Sequence, residues 1–242
     1  MYILNPYLKK IFNKFGFNIS RIDNRNELEL TQLVNSFKHN DIGLVLDVGA
    51  NKGQFALNLR RAGYVGLIIS FEPLPKEHKI LELLSKQDNE WIIFKRCALG
   101  EKKEESYNIN YSMNSVSSSI LPILKEHTDS SLESIYIDKI QIEIEKLDDH
   151  MKYIESFNKN IFLKIDTQGY EMNVLKGSEK IMSNIKGIQC EFSLSNLYEG
   201  QADWKKLYKY IEDFGFNIWS VSEGFNDKKN GKTHQIDVTF YK

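Results

Sequence analysis

Leu44-Val-Leu-Asp-Val-Gly-Ala-Asn-Lys-Gly-Gln54 decides the fold of this chain. Leu44, Val45, Leu46 and Val48 are apolar and partly β-branched, the signature of a buried strand. Gly49 to Gly53 form a glycine-bracketed turn. From Gly53 the period becomes helical, with Phe55, Ala56, Leu59 and Ala62 at three- and four-residue steps. Strand, glycine turn and helix together predict backbone N–H groups presented to an anionic group at a helix N-terminus. A second apolar strand, Leu67 to Phe71, ends at Glu72. That acid lies about twenty residues past the turn, where a carboxylate takes ribose hydroxyls.

The turn is Gly49-x-x-x-Gly53 and lacks the middle glycine that lets backbone approach a pyrophosphate. Asp47, just inside the strand, would repel a diphosphate and suit a cation such as the ammonium of a methionyl group. The pattern therefore favours S-adenosylmethionine over NAD. An NAD-linked oxidoreductase is the rival enzyme reading. A cofactor-binding scaffold without catalysis is the rival outside enzymes.

The rest of the chain alternates strands and helices. A helix is expected over Lys76 to Gln87, a strand over Trp91 to Ala98, and an extra half-buried strand over Ile140 to Lys146. Ile161 to Ile165 and Ile188 to Phe192 read as buried strands. Helices are expected over Tyr170 to Met182 and over Ala202 to Phe214, the latter capped by Gly215. Strands near Phe216 to Val221 and Gln235 to Tyr241 flank a polar turn and predict an antiparallel pair closing a parallel sheet. The expected fold is α/β: a Rossmann-like, seven-stranded, mostly parallel sheet with helices on both faces. Residues 41–242 form that domain, and residues 1–40 form a helical segment packing on it. This segment comprises an amphipathic helix over Met1 to Phe17 and a second over Glu27 to Lys38.

With 242 residues the chain fits one such domain. A net charge of −1 gives no nucleic-acid footprint. Cys97 and Cys190 lie in apolar strands without metal-ligand spacing, which points to a reducing cytoplasm and no metal. No membrane span is visible. A homodimer stays open.

In an open parallel sheet the ligand lies outside the carboxyl ends of the strands. That rule selects Asp47 to Asn51, Glu72, Cys97, Ala98, Asp166 to Gly169, and Glu191. Asp166 and Glu191 are acids at the mouths of apolar strands, where a carboxylate is paired, hydrogen-bonded or functional. Asp166 could instead cap the helix after Gly169. An alcohol acceptor needs its proton removed during attack, so His127, just past the serine-rich stretch Asn114 to Pro122, is a candidate base. His150 reads as surface.

Taken together, the motifs resemble those of the FkbM family of S-adenosylmethionine-dependent methyltransferases. The resemblance runs from about Leu44 to the C-terminus. It rests on Asp47 to Phe55, Ser70-Phe-Glu-Pro73, Ser117-Ser-Ser119, Leu163-Lys-Ile-Asp-Thr-Gln-Gly-Tyr-Glu171, Glu191-Phe-Ser-Leu194, Leu197-Tyr-Glu-Gly-Gln201 and Gln235-x-Asp237. It departs at Asn196, where a proline is common, and at Lys146, where an arginine is frequent. The resemblance implies O-methylation of a hydroxyl on a glycan, sugar nucleotide or glycosylated metabolite. It would place Gly49, Asn51 and Gly53, with Asp47, around the methionyl end, Glu72 on the ribose, and Cys97 and Ala98 beside the adenine. Asp166 and the loop Ser117, Ser118 and Ser119 would face the methyl group and acceptor, with Gln168 and Tyr198 completing the substrate side.

Overall fold

The computed structural model describes Lys14 and residues 25–242. The expected helix over Met1 to Phe17 lies outside the described residues, Lys14 apart. The first described helix, α1 (Arg25–His39), leads into β1 (Ile42–Val48). Then follow α2 (Gln54–Arg61), β2 (Leu67–Phe71), α3 (Pro75–Ser85) and β3 (Trp91–Ile93). After a long intervening segment, β7 (Asn160–Ile165), α6 (Glu171–Lys176), β8 (Ile185–Ser193), α7 (Trp204–Asp213), β9 (Asn217–Glu223) and β10 (Gln235–Tyr241) complete the main layer. The intervening elements are β4 (Ala98–Leu99), β5 (Glu104–Ser112), α4 (Lys125–Ser130), β6 (Tyr136–Glu145) and α5 (Met151–Glu155).

The main sheet has seven strands in the order β3-β2-β1-β7-β8-β10-β9. Strands β1, β2, β3, β7 and β8 are parallel, whereas β10 runs antiparallel to both β8 and β9. The sheet is the one expected, closing pair included. Alternation along each strand sends side chains to two apolar layers. Leu46, Val48, Leu163, Ile165, Ile188 and Phe240 pack with Val174 of α6 and Leu207 and Ile211 of α7. Val45, Ile68, Phe162 and Tyr241 pack on the other face with Leu33, Val34 and Phe37 of α1 and Ala56 and Leu59 of α2. Each such fully buried side chain contributes roughly 1.5–3 kcal/mol of transfer free energy. The chain runs outward on one side of β1 through β2 and β3, then returns on the other through β7. The carboxyl ends of β1 and β7 are therefore a switch point, where a crevice opens.

The expected strand from Trp91 to Ala98 is two strands. Strand β3 stops at Ile93, because Lys95 and Arg96 turn the chain out of the main sheet. Lys95 pairs with Glu145 of β6, and Arg96 Nη1 donates to the Pro73 carbonyl at 3.0 Å. Ala98 and Leu99 then join a second sheet in the order β4-β6-β5. That sheet buries Ile109, Ile142 and Ile144 against Leu74 and Ala98, roofing one side of the crevice. The expected helix over Tyr170 to Met182 is likewise shorter, ending at Lys176 before Gly177. A Cβ at Gly177 would stand 2.0 Å from the Gly100 carbonyl oxygen, so the chain must be glycine where these two segments cross.

Candidate active site

A cleft of about 420 Å³ lies outside the carboxyl ends of β1, β2 and β7 and runs on over β8, β10 and β9. Its floor begins at the turn after β1. Gly49 has φ +81°, and a Cβ there would stand 1.9 Å from the Asp166 carbonyl oxygen. Glycine at 49 is thus dictated by the close approach of two strand ends. A Gly49→Ala variant is expected to lose several kcal/mol of stability (roughly 3 or more), measured as a lowered midpoint in urea unfolding.

The turn does not offer free donors, contrary to the expectation from its sequence. The N–H groups of Gly49 and Ala50 both donate to the Phe71 carbonyl at 3.1 Å. Asn51 N–H donates to Glu72 Oε2 at 2.7 Å, Lys52 N–H to Gln54 Oε1 at 2.9 Å, and Gly53 N–H to the Ala50 carbonyl at 2.8 Å. All five amides are engaged within the protein. A diphosphate finds none of them, which removes the main physical support for NAD. Gly53, with φ +83°, is held against the Trp91 ring, where a Cβ would stand 2.7 Å from it, and does not line the cleft.

Glu72 follows β2 and is 3 % exposed. Oε2 accepts from Asn51 and Oε1 from the Leu74 N–H at 2.8 Å. Burial pushes its carboxyl up to about 8, against the pull of those two N–H groups, with the nearby Glu77 and Asp47 adding to the rise. A carboxylate has about four acceptor positions, so two remain for hydroxyls in the cleft. Leu74, Ala98, Leu99, Ile109 and Ile120 form an apolar wall beside it. Cys97 also lines this part; burial holds its thiol up at about 12, so it serves as an apolar surface.

The electrostatic centre is a lysine that the sequence reading passed over. Lys164, inside β7, is 8 % exposed. Its Nζ lies 3.4 Å from Asp47 Oδ1, 3.3 Å from Asp166 Oδ2, and 5.3 Å from the centre of the Phe55 ring. The expected cationic neighbour of Asp47 is therefore the protein's own ammonium. Asp47 is fully buried and does not line the cleft, which corrects its placement around a methionyl end. Burial raises the Asp47 carboxyl despite the lysine; burial pulls the Lys164 ammonium down, but Asp166, Asp47 and Asp237 together outweigh it and raise it. The two directions agree: one lysine serves three carboxylates, whereas Asp47 has one cation. Asp47 Oδ1 has no aligned hydrogen-bond donor besides this ion pair.

Asp166 reaches the cleft with a third of its side chain exposed. It does not cap α6. The N-cap position is Tyr170, which makes no side-chain cap, and Glu171, the first residue of α6, folds back so that its Oε1 accepts from the N–H groups of Thr167 and Gly169, both at 3.0 Å. Asp166 Oδ1 instead accepts from Gln168 Nε2 at 2.8 Å. The same nitrogen donates to Glu191 Oε2 at 3.0 Å, and Gln168 Oε1 accepts from the Tyr198 hydroxyl at 2.7 Å. Gln168, at φ +55°, is the hub joining these groups. Glu191 sits one layer behind the cleft wall, held by Gln168 and by Gln235 Nε2 at 2.6 Å. Burial and the charges of Asp166, Asp237 and Glu171 hold its carboxyl well above the usual range.

The serine loop is stapled by its own hydroxyls. Ser119 Oγ donates to the Gln168 carbonyl at 2.6 Å, Ser118 Oγ accepts from the Ser112 N–H at 3.0 Å, and Ser117 Oγ accepts from Asn114 Nδ2 at 3.0 Å. Only Ser115, Val116, Ser118 and Ile120 of this loop face the cleft. Ser117, Ser119 and Tyr198 form the layer behind it. His127 is buried away from the cleft, edge-on to Tyr198 and 5.2 Å from the Phe225 ring centre. Burial lowers its imidazole to about 4, and Nδ1 has no partner. A neutral, walled-in imidazole cannot reach an acceptor, so the geometry withdraws His127 from the base position. His150 is no surface group; its Nε2 pairs with Glu145 Oε2 at 2.5 Å. Gln189, Asp237 and Thr239 line the cleft and were not singled out as site residues. The alternation Gln235-x-Asp237-x-Thr239 on one face of β10 was the available signal.

The Methyltransferase FkbM domain profile matches residues 47–218. Methyltransferase 1 of Beauveria bassiana (strain ARSEF 2860) is 23 % identical over 188 residues, covering 74 % of each chain. Among solved structures, a human methyltransferase 10 domain containing protein superposes with a TM-score of 0.47 at 9 % identity, covering 97 % of this chain and 93 % of that one. The Burkholderia thailandensis 1,6-didemethyltoxoflavin-N1-methyltransferase, solved with bound S-adenosylhomocysteine, gives 0.45 at 9 %, covering 91 % and 79 %. At those scores the superpositions add nothing to the strand order itself. The family match spans the turn, the Lys164–Asp166 segment and Glu191, and on it the chain belongs to the FkbM methyltransferase family, as an S-adenosylmethionine-dependent methyltransferase.

Proposed function

We propose that the acceptor is a hydroxyl of a sugar, glycan or glycosylated metabolite, and that Asp166 takes its proton. The observation carrying this is the Asp166 carboxylate: open to the cleft, fixed by Gln168 and charge-balanced by Lys164. The cleft suits the cofactor on its own chemistry. Glu72 keeps spare acceptor positions for ribose hydroxyls, and the apolar wall of Leu74, Ala98 and Leu99 matches a flat base. When bound, S-adenosylmethionine supplies an activated methyl group on a sulfonium. The chain's residues then do the rest. Glu72 and the turn at Gly49 to Asn51 hold the nucleoside and methionyl ends. Asp166 orients the acceptor hydroxyl and accepts its proton. Gln168 keeps the Asp166 carboxylate aimed, and Glu191, through Gln168, is a positioning residue. The two buried free thiols support a reducing compartment such as cytoplasm. Among the described residues, no helix is long and apolar enough to cross a membrane.

Calorimetric titration with S-adenosylhomocysteine, with NAD as control, tests the cofactor assignment. One equivalent of the former and none of the latter is expected. Binding without methyl transfer to any of a panel of sugars would favour the scaffold reading. The pH dependence has a definite sign. Glu72 must be ionised to accept hydroxyls, and its carboxyl ionises at about 8 in the free protein. Affinity for S-adenosylhomocysteine is therefore expected to rise between pH 6 and pH 9 by nearly two orders of magnitude, as the ionised fraction of Glu72 climbs from about 1 % to about 90 %. Glu72→Gln should flatten that rise. A pH-independent affinity in the unsubstituted protein would remove Glu72 from the ribose.

A further inference from the structure

Beyond the cofactor half, the cleft runs on over β8, β10 and β9. Gln189 of β8, Asp237 and Thr239 of β10, and Ser220 and Ser222 of β9 all line it there. Register explains the grouping. Lys164 is paired with Gln189, Gln189 with Thr239, and Thr239 with Ser220. The row therefore starts one strand over from Lys164 and the Asp166 that follows it. Two residues along β10, Asp237 stands opposite Ser222. With strands about 4.8 Å apart and alternate residues about 7 Å apart, the five side chains spread over roughly 10 Å by 7 Å.

The hydrogen-bonding capacity of this face is mostly unspent. Gln189 Nε2 donates to Thr239 Oγ1 at 3.5 Å. That leaves the second amide hydrogen, the amide oxygen and the threonine hydroxyl hydrogen. Asp237 is half-buried and, among the described residues, accepts no hydrogen bond and forms no ion pair. A carboxylate drawn out of water without donors is costly, and one kept at the wall of a cleft marks where a ligand's donors go. The face thus sets a strong acceptor beside two donors. An ammonium only donates, and would leave the Gln189 and Thr239 hydrogens without an acceptor. A phosphate dianion only accepts, and would meet the carboxylate. One phenolic hydroxyl serves one group of the set. Several hydroxyls on one ring serve all of them, because each both donates and accepts.

We infer that Gln189, Asp237 and Thr239 form the acceptor subsite, and that the acceptor presents a neutral, polyhydroxylated ring to it. Hydroxyls other than the one methylated donate to Asp237 and accept from Gln189 and Thr239, while another turns to Asp166. This rests on the methyltransferase reading above. Asp237 is the specificity-determining residue, and it selects such rings over flat phenols.

The test uses the methyl glycosides of glucose, galactose and mannose, which differ in ring stereochemistry, and catechol as a flat diol. Each is titrated into the full chain by ligand-observed NMR, with and without S-adenosylhomocysteine. At least one glycoside is expected to bind about tenfold more tightly than catechol. The 2-, 3-, 4- and 6-deoxy derivatives of that glycoside follow. Removing the hydroxyl that Asp237 reads should weaken binding about tenfold or more, as for a hydrogen bond to a charged group. Asp237→Asn should weaken the parent glycoside by a similar factor, and that one deoxy sugar should then lose little further, while the other deoxy effects persist. A merely structural role for Asp237 would leave the deoxy pattern unmoved. Thr239→Val should erase the effect of a different hydroxyl, so a folding defect in either variant leaves the other readable. Affinity for S-adenosylhomocysteine should stay unchanged in both. No binding of any glycoside, tighter binding of catechol, or a deoxy pattern unmoved in both variants would overturn the inference. Failure of S-adenosylhomocysteine to bind the unsubstituted chain would instead count against the methyltransferase reading.

Discussion

Lys164→Met is expected to destabilise the protein by about 3–5 kcal/mol, because it leaves a buried carboxylate without its cation. Asp47 is fully buried, its Oδ1 has no other donor aligned on it, and Ser70 Oγ reaches Oδ2 only at 3.4 Å. Methionine fills most of the lysine's volume, so the loss reports charge more than packing. Urea unfolding of the variant at several pH values separates the two. With the lysine gone, the Asp47 carboxyl is raised further in the folded state. A raised carboxyl binds its proton more tightly folded than unfolded, so the variant should regain stability as pH falls toward the ordinary aspartate range and lose it as pH rises. A pH-independent deficit would mean that packing, not charge, is what Lys164 supplies. Adding Asp47→Asn to Lys164→Met should recover much of the loss at neutral pH, since neither charge then remains.

Asp166→Asn is expected to lower kcat by about 10²–10⁴, the usual contribution of a positioned base, while affinity for S-adenosylhomocysteine stays within a few-fold. The amide keeps the shape of the side chain, and Asp47 stays with Lys164. Release of S-adenosylhomocysteine with a competent acceptor measures kcat, and calorimetry measures the affinity. Glu191→Gln, one layer back, should cost less and act chiefly on kcat, because Gln168 loses one of the two carboxylates between which its amide is set. Unchanged turnover in Asp166→Asn would take that carboxylate out of the mechanism.

Local pattern carried most of the architecture. The strands over Leu44 to Val48, Leu67 to Phe71 and Ile161 to Ile165 are continuous apolar runs, and the polar turn before Gln235 marks an antiparallel pair. What escaped was non-local. Lys164 sits in the middle of an apolar run and reads as a surface interruption until β1 and β7 are laid side by side, where Asp47 is its register partner. The strand after Trp91 looked continuous through Ala98, because nothing near Lys95 reveals that Glu145 will draw it into another sheet. The amides of Gly49, Ala50 and Asn51 look available because their acceptors, the Phe71 carbonyl and the Glu72 carboxylate, lie on and just past the next strand. His127 looked available for the same reason: its proximity to the serine loop in sequence does not become proximity to the cleft in space.

Those engaged amides bear on the entropy of binding. A loop whose donors are waiting for a ligand must be ordered by it, and binding then carries the entropy of that ordering. Here the turn from Gly49 to Gly53 is already closed on Phe71, Glu72, Gln54 and Ala50. This part of the cleft is a preformed mould. A ligand entering there meets a loop that needs no refolding to receive it, so the entropy of ordering that loop is lost at folding and not again at each binding event.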